Sequence, residues 1–164
     1  MNVKIRPQRV SDAQRFFEIL SNPNFTYFGA NPKSVEEEVA FLKQSIIKYK
    51  NKSHFNFSII LDGALVGGGG IMIRSHHPYL AEAGYFIDER YWGRGIATET
   101  LRLMEQFALN NTEVHRIEIR IATGNIASQK VAEKCSYERE GMLKQALHTK
   151  GNWYDCYLYA RKIR

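Results

Sequence analysis

Residues 89–100 read ERYWGRGIATET, and Gly93 and Gly95 lie in it between a strand-like run, AEAGYFID, and a helix-like run. That arrangement suits an anion. The first turn of a helix carries unpaired backbone N–H groups and the positive end of the helix dipole, and glycines let a phosphate approach the main chain. Each charge-assisted N–H bond contributes about 1.5–3 kcal/mol, so a few aimed at a pyrophosphate outweigh the cost of flexible glycines. Two familiar phosphate loops do not fit. A P-loop needs Lys and Ser or Thr after its last glycine, where Ile96 and Ala97 stand. A dinucleotide fingerprint needs a small residue three after Gly95, where Thr98 stands, and the hairpin-like strands before it are the wrong context.

Other residues have chemical potential but weaker patterns. His76 and His77 share a Pro-bearing loop, with no third ligand spaced to make a metal site, and none is expected. Asp155, in WYDCYLY, shares a strand face with Trp153 and Tyr157 and suits either an acceptor contact or a tie on the last strand. Cys135 and Cys156 follow no metal spacing and read as free thiols, Cys135 as inert packing.

These residues need elements to hold them. VKIRPQ reads as a strand. Ser11 with Gln14 predicts a capping box, opening a helix with Ala13, Phe16, Phe17 and Leu20 on one face. Ser34 with Glu37 predicts another, ahead of the stripe Val35, Val39, Leu42 and Ile46. HFNFSIILDG and ALVGGGGIMIR form a hairpin turning at Asp62-Gly63. Gly67–Gly70 predict a bulge or a close backbone approach rather than chemistry. AEAGYFID is a strand, and Ala97, Leu101, Met104 and Ala108 mark a helix. HRIEIRIAT is a strand, NIASQKVAEKC a helix capped by Asn125, and YEREGMLKQAL and WYDCYLYAR close the chain as strands. The order β-α-α-β-β-β-α-β-α-β-β predicts a mixed α+β sheet.

Composition sets bounds. The 164 residues predict one domain, residues 1–164, able to bury a core. No apolar run approaches the roughly 18 residues of a membrane span. The start, MNVKIRPQRVSDAQRFF, has no apolar leader, so a cytoplasmic protein is expected. The net charge of +6 permits an anionic cofactor, but the scattered Lys and Arg include no run of five, so no nucleic-acid partner is expected.

Arg90-x-x-Gly93-x-Gly95 resembles the Arg/Gln-x-x-Gly-x-Gly/Ala motif of the GNAT superfamily of acetyl-coenzyme A-dependent N-acetyltransferases. With NIASQKVAEKCSY and EGMLK at their distances, nearly the whole chain resembles the ribosomal-protein N-acetyltransferase branch. The resemblance implies a splayed central sheet of about seven strands, with strands four and five parallel, flanked by about four helices. It implies acetyl-coenzyme A as co-substrate, its pyrophosphate cradled by backbone donors of Arg90, Gly93, Arg94, Gly95, Ile96, Ala97 and Thr98. It implies that N–H groups around Tyr85, Phe86 and Ile87 hold the thioester oxygen and that Asn125 contacts the pantetheine arm. Many members carry a Tyr acid seven residues after that Asn; here the position is Ala132. The resemblance then puts the Ser128 hydroxyl beside the sulfur, as acid or as positioner. The family's Gly-Phe after this helix is Ser136-Tyr137, which strains a turn that normally uses glycine.

Amide formation requires a neutral amine, a polarised carbonyl, alignment and a leaving thiolate. An α-amine, of pKa about 7.7–8.0, is roughly a tenth neutral at pH 7, whereas a lysine is neutral less than about 0.1% of the time. Glu82, matching a Glu frequent in the branch, is the candidate base; an edge carboxylate in solvent is the other reading. The expectation is direct attack in a ternary complex by a protein or peptide N-terminal α-amine or another amine-bearing small molecule, on a monomer or homodimer. The alternatives are a polyamine- or aminoglycoside-like acceptor, which wants an acidic site, and a non-catalytic coenzyme A-binding regulatory domain.

Overall fold

The computed structural model describes residues 1–164. Its elements are β1 (Val3–Pro7), α1 (Ala13–Leu20), α2 (Val35–Lys50), β2 (His54–Leu61), β3 (Ala64–Arg74), β4 (His77–Ile87), α3 (Ile96–Asn111), β5 (Arg116–Ala122), α4 (Ile126–Lys134), β6 (Glu138–Thr149) and β7 (Asn152–Lys162). This is the predicted order. The seven strands form one sheet, β1-β2-β3-β4-β5-β7-β6, in which β4 and β5 are the parallel neighbours. All other neighbours are antiparallel.

The β4–β5 pairing covers Leu80–Arg116, Ala81–Ile117 and Glu82–Glu118. Past it, β4 runs on to Ile87 and β5 to Ala122 without pairing to each other. β4 stays with β3 and β5 with β7, so the sheet forks just after Glu82. This is the expected splay.

Side chains alternate across the strands and give the sheet two different faces. On one, Phe55, Phe57, Ile71, Ala81, Ala83 and Ile117 pack against Leu101, Met104 and Ala108 of α3 and Ala132 of α4. On the other, Phe86 packs against Ala13 and Phe16 of α1 and Leu42 of α2. The glycine run on β3 lies between. A Cβ at Gly68 would sit 2.7 Å from the Phe86 ring, and one at Gly70 would collide with Asn56 Oδ1. The run therefore marks a close approach, as its sequence predicts. The Asp62-Gly63 turn also forms, both residues having positive φ (48° and 90°).

The two predicted capping boxes differ. Ser34 Oγ accepts the Glu37 N–H (3.2 Å), and the Glu37 carboxylate reaches back to the N–H of Lys33 (2.7 Å). The Ser11–Gln14 box does not form. A 3₁₀ turn, Val10–Asp12, precedes α1, and the Asp12 carboxylate accepts the Arg9 N–H (2.9 Å). Tertiary contacts decide this: Arg6 (2.7 Å) and Ser58 (2.6 Å) fix the same carboxylate in the interior.

Candidate active site

The glycine segment is an arch of unpaired donors. Gly93 and Gly95 both adopt left-handed φ (73° and 77°), which only glycine takes without strain. Gly95 caps α3 with no side-chain acceptor, and none of the N–H groups from Gly93 to Thr98 finds a backbone acceptor. Successive free amides at the start of a 16-residue helix form an anion nest. The residues present therefore fit a pyrophosphate. Arg94 is exposed beside them, its guanidinium over the Tyr91 ring at 5.3 Å.

Arg90 does not belong to that donor set. Its N–H bonds Asp88 Oδ1 (3.1 Å) and its guanidinium bonds Asp88 Oδ2 (2.7 Å), with Arg15 on the same carboxylate. Burial alone would raise the Asp88 pKa. The Arg90 bonds and the Arg15 pairing outweigh it and hold the group down at about 2. Asp88 thus knots the turn below the arch, and the available donors narrow to Gly93–Thr98.

The fork narrows a second expectation. Asp88 donates its N–H to Val66 O (2.8 Å), so even-numbered residues of β4 point their backbone groups at β3. Phe86 is one of these, paired with Gly68. The N–H groups of Tyr85 and Ile87 face the gap instead. The Phe86 ring packs, 4.8 Å from Phe28 and 5.7 Å from Phe16.

A pair of hydroxyls stands on the α3/α4 side of the gap. Asn125 Oδ1 caps α4 by accepting the Ser128 N–H (3.2 Å). Ser128 Oγ lies 3.2 Å from the Tyr85 hydroxyl. Burial pushes the Tyr85 pKa up to about 12, against the opposing effect of the Ser128 bond, so the phenol keeps its proton. Ala132 is fully buried in the cluster that Tyr85 packs against. A phenol missing from α4 is thus present on β4. The available signal was alternation: Tyr85 shares the Ala81–Ala83–Ile87 face, the one turned to α3 and α4. Cys135 is buried beside this pair, its thiol raised by burial and directed at Thr98 O (3.6 Å). Ser136 closes α4 with φ 62°, the strained non-glycine turn its sequence predicts.

Across the sheet, under α1 and α2, lies a cavity of about 510 Å³. Its walls include Phe28, Asn56 and Phe86, and its ionisable groups are Glu37, Glu38 and Glu82. No lysine, arginine or histidine lines it. Glu82, at the fork, faces Arg120 at 3.7 Å and Arg74 at 3.8 Å. The loop 21–34 roofs the cavity and is latched to the β6–β7 turn. Lys150 Nζ donates to Phe25 O (2.5 Å) and Thr149 Oγ1 to Phe28 O (3.0 Å). His76 and His77 lie at the β3–β4 turn, outside the cavity lining. Asp155 accepts the Gln145 N–H (2.8 Å) at a left-handed bulge residue of β6, the second of its two expected roles.

The cavity and the hydroxyl pair lie on opposite faces of the sheet beside the fork, and the arch follows β4 at the start of α3. Glu82 belongs to the cavity side of β4 and the Tyr85–Ser128 pair to the other, with the gap-facing amides of Tyr85 and Ile87 in the strand that carries both. Such a site can bind a phosphate-bearing arm, polarise a carbonyl and move a proton.

The acetyltransferase (GNAT) domain model matches residues 2–138. Bacillus subtilis (strain 168) YjcK, an N-acetyltransferase by name, is 27% identical over 93% of this chain and 90% of its own length. The Escherichia coli (strain K12) ribosomal-protein-serine acetyltransferase is 35% identical over 51% of this chain and 46% of its own. The solved structure of Mycobacterium smegmatis RimJ in complex with CoA-disulfide superposes with a TM-score of 0.87 at 26% identity, covering 98% of this chain and 81% of that one. No helix is long and apolar enough to cross a membrane.

Proposed function

We propose that the acceptor of this chain, which belongs to the acetyltransferase (GNAT) family and is an N-acetyltransferase using acetyl-coenzyme A, is the α-amine of a protein or peptide N-terminus. One observation carries this reading: every ionisable group lining the acceptor-side cavity is a glutamate. A carboxylate suffices for an amine already about a tenth neutral at pH 7 and is far too weak for a lysine side chain. The likeness to the ribosomal-protein-serine acetyltransferase supports it.

Acetyl-coenzyme A supplies an activated acetyl thioester. In this reading the Gly93–Thr98 amides hold its pyrophosphate, and the Asn125 side chain, whose Oδ1 is spent on the helix cap, offers Nδ2 to the pantetheine arm. The gap-facing amides of Tyr85 and Ile87 orient the thioester oxygen; losing one such donor typically costs about 10²–10³ in rate. Glu82 takes the amine proton from the cavity side. Ser128, backed by the Tyr85 phenol, delivers a proton to the departing thiolate.

A polyamine-like acceptor is the second reading. The chain's net charge of +6 disfavours a polycation, but the ionisable groups of the cavity lining are glutamates, of which Glu82 alone has arginines, Arg74 and Arg120, beside it. An amine panel decides. Unblocked, lysine-free peptides beginning with Ser, Ala or Met are expected to turn over, and N-blocked, lysine-bearing counterparts are not. The reverse pattern defeats the α-amine reading.

A further inference from the structure

Glu38 has no partner inside the protein. It lies on the inward stripe of α2, one turn before Leu42 and two before Ser45, and all three are buried (5%, 0% and 3% exposed). The adjacent Glu37 spends its carboxylate on the Lys33 N–H. The polar groups nearest along the stripe are satisfied among themselves. Ser45 Oγ donates to Gln8 Oε1 (2.8 Å) and accepts from Asn56 Nδ2 (3.0 Å). Nothing donates to Glu38, and burial by itself raises its pKa. Yet the residue lines the cavity, whose wall offers no cation to meet it.

An unpaired buried carboxylate costs stability that a leucine or methionine at the same place would not. Half-exposed rings, Phe28 and Phe86 among them, stand in the cavity wall and limit the water around the carboxylate. A carboxylate in such a place finds its counter-charge only when something enters. Glu82 occupies the fork on the sheet side of the same space, and Glu38 comes from the helix that forms the opposite wall. The two carboxylates therefore address different parts of one guest.

The geometry points to Glu38 as the anchor for a second positive charge on the acceptor, an ammonium or guanidinium separate from the amine that is acetylated. The assignment rests on the proposed acceptor cavity and deepens that reading. Two sources share the chemistry: a basic side chain close behind a peptide N-terminus, and the distal amine of a small polyamine. Charge pairing in a partly desolvated pocket is directional and strong, so the second charge is worth about tenfold or more in kcat/KM.

The test compares two matched pairs of acceptors. Ala-Arg peptides are set against Ala-citrulline peptides, which keep the shape and lose the charge. 1,4-Diaminobutane is set against 4-amino-1-butanol. In the wild type, at least one pair is expected to favour the doubly charged acceptor by about tenfold or more, mainly through KM. In Glu38→Gln that ratio falls to about one, and Glu38→Asp retains part of it. Preference in the peptide pair identifies the basic side chain as the source, and preference in the diamine pair the polyamine. The Gln variant is also expected to melt at least as high as the wild type, because it loses an unpaired buried charge.

A wild-type ratio near one in both pairs overturns the assignment, as does a ratio that survives Glu38→Gln. A Gln variant melting several degrees lower also overturns it, since the carboxylate would then be holding the fold. The underlying reading fails separately. If diamines are acetylated with a Glu38-dependent ratio and no peptide is, the anchor stands and the α-amine acceptor falls. If charged and neutral peptides are acetylated alike and the diamine pair shows no preference either, the α-amine acceptor stands and the anchor falls.

Discussion

The arch at Gly93–Thr98 and the cavity beneath α1 and α2 serve the same proposed reaction with opposite materials. The arch is main chain from one short segment, and its side chains matter chiefly where φ is positive. The cavity wall is drawn, mostly as side chains, from β1's exit, α1, the roofing loop, α2, β2, β3 and β4. Backbone donors offer one geometry and tolerate little variation. Side-chain walls change with single substitutions. In the proposed reaction the difference separates the part that accepts a fixed co-substrate from the part that selects a partner for it.

The sharpest way to break the comparison is to damage the arch alone. Gly95→Asp puts a β-carbon and a negative charge where φ is 77°, and Gly93→Val puts a branched side chain at 73°. Each is expected to lower acetyl-coenzyme A affinity by more than about 100-fold. Circular dichroism should stay near wild type, because a Cβ at either glycine meets nothing within 4 Å and the strain of the positive φ is confined to the turn before α3. Unchanged affinity by calorimetry in a folded variant would remove the arch from the site.

The junction between the two regions comes next. Ser128→Ala and Tyr85→Phe are each expected to lower kcat by about 10–100-fold with little change in coenzyme A affinity. If the hydroxyls, 3.2 Å apart, act as a pair, the double variant is scarcely slower than the worse single one. Full additivity would show that they work apart. Ala132→Tyr then tests whether a phenol on α4 restores the rate to Ser128→Ala.

Glu82→Gln probes the cavity side, with a smaller effect of about tenfold at pH 6.5. The loss should shrink as pH rises through the α-amine's own pKa of about 7.7–8.0, since the amine then deprotonates unaided. A variant whose pH–rate profile overlays the wild type throughout shows that Glu82 carries no proton.

The smallest effect concerns the knot under the arch. The Asp88 pKa is depressed to about 2, so its contribution to stability is complete above about pH 4 and lost as pH falls towards 2. Asp88→Asn should be less stable at pH 7 and should lose less on acidification across that window. Equal acid sensitivity in chemical denaturation would contradict the ion-pair account.

The contrast between arch and cavity also governs what could be read beforehand. Element order and the glycine segment are local or periodic features and are legible; the fork is a tertiary feature that only the family resemblance implies. The Ser34 cap was legible because its partners are three and four residues away. The Ser11 cap was not, because Asp12 is held by Arg6 and by Ser58 on another strand. Arg90 carries the family motif's type, but a carboxylate two residues earlier claims it. The phenol of Tyr85 and the isolation of Glu38 depend on which face meets which helix, and motif spacing does not encode that.

The latch over the cavity has a consequence in time. Its two hydrogen bonds join residues 121 and 125 positions apart, so they form only once the β6–β7 turn has left the ribosome. Contacts of such long sequence separation form late, after local turns and helices. At about 5–20 residues per second, Phe25 waits many seconds for Lys150. Through that interval the loop above Glu38 and Glu82 has no tether to the last hairpin. In the proposed reading, discrimination among acceptors therefore waits for the closing hairpin, while the arch needs only its own segment.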